Sequence, residues 1–223
     1  MATASYRFPG GQSRSTCLAV PGANADTVWV YSPGASLVDA VAFEPHHHVV
    51  LLAPCSSHTL GVAPWLQRWP RATLASTATA ATRLTKLGHT PLLDVEEMQT
   101  RLPASVRVVV PPHLKNGEVW LAIDDGDHRI LVVADAFMNV TQLSPQRGVR
   151  LLQKLYRVGP GLEVTRLFRH GTVDDATAYA RWVRSFLLDW APTTLVPCHG
   201  DVDDNPDLVD RMLDMMRRRF PRR

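Results

Sequence analysis

Four short aliphatic runs in this 223-residue chain each lead towards a side chain able to bind a metal, and that repeated arrangement limits what the chain can fold into. Val49-Val50-Leu51-Leu52 precedes His58, and Val108-Val109-Val110 precedes His113. Ile130-Leu131-Val132-Val133 precedes Asp135, and Thr194-Leu195-Val196 precedes Pro197-Cys198-His199-Gly200. Brief continuous apolar runs suit strands buried on both faces. Loops at the ends of such strands are where a rigid scaffold presents chemistry.

Between these runs the pattern alternates strand and helix. Thr16 to Val20 and Thr27 to Tyr31 read as a hairpin around Pro21-Gly22-Ala23-Asn24. Ser36 to Phe43 and Pro64 to Trp69 read as short helices, Ala72 to Ser76 as a strand, and Thr77 to Leu87 and Val95 to Arg101 as helices. Val106 to Val110 is a further strand. A second hairpin joins Glu118 to Ile123 with Arg129 to Ala134, and its Asp125-Gly126 pair supplies the positive φ of a tight turn.

Helices dominate from Pro145 onward. Tyr179, Trp182, Val183, Phe186, Leu187 and Trp190 recur at three and four, which makes one helical face, with Thr172 as N-cap and Asp175 three residues on. Thr193 to Val196 returns to the sheet. Asp207 to Arg219 is a last helix with Leu208, Met212, Met215 and Met216 inward.

Composition narrows the class. With 45% hydrophobic residues and no repeat or long linker, one domain over residues 1–223 is expected. Cys17, Cys55 and Cys198 are odd in number and widely spaced, which argues for a reducing compartment and against a disulfide framework. The N-terminus lacks the secretory pattern and no run approaches ~20 apolar residues, so a cytoplasmic protein with no membrane partner is expected. The net charge of +3 is mild and partly gathered in Arg217-Arg218-Arg219 and Arg222-Arg223, which complement a helix C-terminus. Nucleic acid is not the expected partner.

The order of these elements over roughly residues 16 to 200 resembles the metallo-β-lactamase fold superfamily. The resemblance implies an α/β fold, a four-layer αββα sandwich. It also implies metal ions, usually zinc, held at the sheet edge by an HxHxDH motif, a middle His, a bridging Asp and a final His. Here Ala53-Pro54-Cys55-Ser56-Ser57-His58 stands at that motif, so Ala53, Cys55 and Ser57 replace its first His, second His and Asp. Pro112-His113-Leu114 matches the middle His, Ala134-Asp135 the bridging Asp, and Cys198-His199-Gly200 the last ligand. Val133-Ala134-Asp135-Ala136-Phe137-Met138-Asn139 is similar to a divergent branch of the superfamily with eroded metal motifs.

By this carry-over His58, Asp135 and His199 form a three-ligand set for one zinc ion, for which iron or manganese could substitute. Cys55, His113 and Asp135 form a weaker second set. His113 and Asp135 are the candidate catalytic groups. The implied activity is hydrolysis of a small-molecule substrate, an ester, thioester, lactone or phosphoester. The alternative is a catalytically silent interaction protein that uses the same cleft without metal. His46-His47-His48 falls outside this set, because neighbours in an extended segment point to opposite faces. Asp201, Asp203 and Asp204 read as turn and capping residues, and Cys198 as a buried thiol.

Overall fold

The computed structural model describes residues 1–8, 11–20, 26–44 and 46–221. They gather into two compact units, Met1–Val108 with Asn116–Val119, and Val109–Lys115 with Trp120–Arg223. All three cysteines are free thiols, and burial pushes that of Cys17 up.

The first unit is built on a five-stranded sheet of β1 (Ala2–Phe8), β2 (Gly11–Val20), β3 (Thr27–Tyr31), β4 (His48–Ala53) and β5 (Thr73–Ser76), in that order. The first two pairings are antiparallel, with Leu18 opposite Trp29, and β3, β4 and β5 run parallel. The expected hairpin is present as β2 and β3, while its Pro21-Gly22-Ala23-Asn24 turn lies outside the described residues. β1 is an edge strand of small and polar residues, Ala2-Thr3-Ala4-Ser5, which carry no aliphatic signal.

Helices α1 (Val62–Arg68), α2 (Ala78–Lys86) and α3 (Val95–Arg101) follow. Val62, Trp65 and Leu84 pack with Val28, Val30, Leu51 and Leu74 into the core of this unit. The alternate residues Trp29, Tyr31, Val50 and Leu52 are buried as well, so β3 and β4 have two apolar faces, as their continuous runs demand. The helix expected over Ser36 to Phe43 is only a 3-10 turn, Ala35–Leu37. Its N-cap is Gly34, which has no side chain to hold the first turn.

In the second sheet the order is β11 (Thr194–Pro197), β8 (Arg129–Val133), β7 (Trp120–Asp124), β6 (Val106–Val109). The β7–β8 hairpin turns at Gly126 with φ +93°, but Asp124 pairs with Arg129, so the turn has four residues and Asp125 N–H donates to His128 O. β9 (Met138–Val140) and β10 (Gly161–Glu163) form a two-stranded ribbon, and both are too short for a period of two to register in the sequence. Helix α4 (Arg147–Tyr156) precedes β10.

Helices α5 (Ala176–Trp190) and α6 (Leu208–Arg219) cover the second sheet. Tyr179, Val183, Phe186 and Leu187 meet Met212, Met215 and Met216, so the methionines fill the core as expected. Trp120 anchors it, with ring centroids 5.5 Å from Phe137 and 5.6 Å from Phe186.

The N-cap of α5 is Asp175 and not the expected Thr172, because Phe168–Thr172 is wound into a separate π-helical turn. The Asp175 carboxylate accepts from the backbone N–H groups of Thr177 and Ala178 at 3.0 and 2.9 Å. The Ala178 bond above all, helped by that of Thr177 and by His113 and Arg181, holds this carboxyl below the usual range. A depressed carboxyl stabilises fully above its unfolded value of ~3.9 and loses that contribution as pH falls through the folded value. Asp175→Ala should therefore lower the melting temperature at neutral pH and have a shrinking effect towards about pH 2. Asp175→Asn should keep the cap and lose this pH dependence, and thermal unfolding across pH checks both.

Candidate metal site

Asp135 and His199 come together through strand register. β8 and β11 are parallel neighbours with Val133 beside Pro197, and each chain runs two residues further to its ligand. The Cys198 N–H donates to Val133 O at 2.9 Å, which keeps the two chains paired past the strand ends. His199 Nε2 then lies 3.2 Å from Asp135 Oδ1, both side chains largely shielded from solvent. A tetrahedral zinc site with bonds of ~2.1 Å has edges of about 3.4 Å, so this nitrogen–oxygen spacing fits two ligands of one ion.

The backbone around His199 is strapped to β9. Asn139 N–H donates to His199 O at 3.0 Å, Asp201 N–H to Asn139 O at 2.7 Å, and the Asn139 amide to Asp201 O at 3.1 Å. Gly200 makes this strap fit: its φ is +97°, and a Cβ there would stand 2.0 Å from Asn139 O. Cys198 is buried, as expected. Asp203 is structural, paired with Leu195 through the backbone and gripped by Arg211 at 2.9 Å.

His113 is placed differently. Its φ is +64° and its backbone carbonyl accepts from Asp174 N–H at 3.1 Å. Its Nδ1 lies 3.5 Å from Asp174 Oδ1, a contact too long for a firm hydrogen bond, and both side chains are well exposed. Lys115 N–H donates to Thr172 O at 2.9 Å, so this loop is fastened to the segment that leads into α5.

In the first unit β4 runs into Pro54-Cys55-Ser56-Ser57-His58. Val119 N–H donates to Pro54 O at 2.7 Å, Ser56 N–H to Asn116 O at 3.0 Å, and His58 N–H to Cys55 O at 3.2 Å, which folds the loop back on itself. Cys55 is wholly buried with Sγ 3.3 Å from Ser57 Oγ. His58 Nδ1 lies 2.7 Å from Ser32 Oγ. Ser32 follows β3 with φ +56°, and its carbonyl accepts from the buried Ser15 hydroxyl at 2.5 Å, whose oxygen accepts from Gly34 N–H at 2.9 Å. Sequence reasoning missed Ser32, although it too is a polar residue at the end of an apolar strand. The partnership of His113 with Asp174 had no local signal.

The tri-histidine segment engages its surroundings piecemeal. His47 Nδ1 accepts from Glu44 N–H at 3.2 Å, and His48 Nε2 lies 3.0 Å from Thr73 Oγ1.

No family model and no curated protein matches the chain. Solved structures do. A metallo-β-lactamase from Pontibacter korlensis is similar at TM-score 0.59, with 13% identity over 96% of this chain and 93% of that one. One from Erythrobacter litoralis, at TM-score 0.59 and 13% identity, is covered over 91% of its length and spans 97% of this chain. The DIM-1 metallo-β-lactamase reaches TM-score 0.59 at 12% identity, over 96% of this chain and 91% of its own. The chain has the metallo-β-lactamase fold. At such identities the likeness concerns the fold alone, and it agrees with the mixed α/β architecture expected from the sequence.

Within this metallo-β-lactamase fold the His199 loop depends on the close approach of Gly200 to Asn139. Gly200→Ala should cost ~2 kcal/mol or more, because it adds both a strained φ and a backbone collision. Urea unfolding with an unchanged midpoint would show that the strap is dispensable.

Proposed function

We propose that this protein is a metal-dependent hydrolase holding one ion, zinc by preference, with Asp135 and His199 among its ligands. The observation that carries the proposal is the His199–Asp135 pair, whose atoms stand 3.2 Å apart at level strand ends. The metallo-β-lactamase fold supports metal-dependent hydrolysis as the class of chemistry. An imidazole and a carboxylate are both ordinary zinc ligands.

Bound zinc supplies a water of lowered pKa and a Lewis acid for the substrate oxygen. The chain's own residues do the rest. In the first unit Ser32 holds the His58 ring through Nδ1 and so orients it. Asp135 is the only carboxylate in the proposed set, and it is assigned to hold the nucleophilic water and take its proton. His113, exposed and on a separate loop, is assigned to donate a hydrogen bond to the developing oxyanion.

The proposal is mononuclear. Ala53 offers no ligand atom, and the hydroxyl of Ser57 is a weaker ligand and a poorer base than a carboxylate. Esters, thioesters, lactones and phosphoesters are the substrate classes to screen.

Elemental mass spectrometry on protein purified without chelator should find near one ion per chain. His199→Ala should weaken metal retention by at least ~10-fold, with loss of hydrolysis across the screen. Protein that takes up no metal after reconstitution would overturn the proposal and leave a binding protein that uses the fold without catalysis.

A further inference from the structure

Helix α4 turns its apolar side to solvent. At ~100° per residue, Leu151, Leu152, Leu155 and Tyr156 share one side and Arg147, Arg150, Gln153 and Lys154 the other. No residue of α4 is buried. Leu151 is 69% exposed, Leu152 55% and Leu155 53%, while Gln153 is half-buried and its Oε1 accepts from Ser144 N–H at 2.8 Å. Leu167, 67% exposed, extends the apolar face, and with Leu155, Tyr156, Arg166 and His170 it lines a shallow cavity of about 360 Å³. A contiguous apolar face of this kind marks an interaction site.

The surrounding charge names the partner. Between Ala136 and Val173 there are six Lys or Arg residues and one acid, Glu163. That acid is held by Arg219, whose Nε donates to it at 2.6 Å. Arg147 and Lys154 border the leucines along the helix, and Arg166 donates from beside them to Leu155 O at 3.1 Å. Leucines flanked by cations, with a tyrosine at the helix end, are the arrangement of a helix lying in the plane of lipid headgroups. A helix with none of its residues buried also suits a flat surface better than a groove.

We propose that α4 is an interfacial helix that docks this protein on an anionic lipid surface. Its leucines enter the acyl boundary, and Arg147, Lys154 and Arg166 meet the headgroup phosphates. This departs from the expectation of no membrane partner, which rested on the lack of a spanning run. A docking helix needs none, and among the described residues no helix is long and apolar enough to cross a membrane.

The test is co-sedimentation of the full chain with vesicles of phosphatidylcholine alone or with about one third phosphatidylglycerol. Binding to the anionic vesicles only is expected. Arg147→Gln with Lys154→Gln should weaken it about thirtyfold, and Leu152→Asp with Leu155→Asp should abolish it. Circular dichroism confirms that both variants, altered at exposed positions, remain folded. No binding by the unaltered chain, or binding unchanged in both folded variants, overturns the proposal. So does a concentration-dependent dimer, or capture of a polyglutamate peptide, that depends on the leucines in the absence of vesicle binding.

Discussion

The parallel pairing of β8 with β11 is the constraint on which the candidate site rests. With Val133 beside Pro197, an equal step of two residues on each chain brings Asp135 and His199 level. A slip of one residue would turn either side chain to the opposite face. The register is held by the core, because Leu131, Val133 and Leu195 pack with Trp120 and the inner faces of α5 and α6. The hydrophobic effect that folds this unit thus also sets the spacing of the two ligand atoms.

The first unit uses a similar device. Ser32 and the loop of His58 leave the ends of β3 and β4, which are parallel neighbours with Tyr31 beside Leu52. Both strands are buried on two faces, so polar chemistry has an outlet only past their ends. Ser15 on β2 then fixes Ser32, and Ser32 fixes His58. Among the described residues α4 is an element whose apolar side is turned to solvent.

Much of this was legible in the sequence, and the reasons are local ones. β4, β8 and β11 are short runs of Val, Leu and Ile whose strand character owes nothing to distant residues, and each passes into a loop with a ligand-type side chain. α5 and α6 declare themselves through periodicity over three or four turns. What stayed hidden depends on contacts far apart in sequence or on signals too short to read. Ser32 meets His58 across a parallel crossover, and Asp174 meets His113 through a loop pairing. β9 and β10 have three residues each. The region from Pro145 onward reads as helical without α4 standing out, and periodicity cannot say which side of a helix faces water.

The central claim is that one metal ion sits against His199 and Asp135. Anomalous diffraction at the zinc edge, from crystals grown with equimolar zinc, tests it most directly. The expected result is a single peak about 2.1 Å from His199 Nε2 and the Asp135 carboxylate. No peak at that position, or one only at His46-His47-His48, would contradict it.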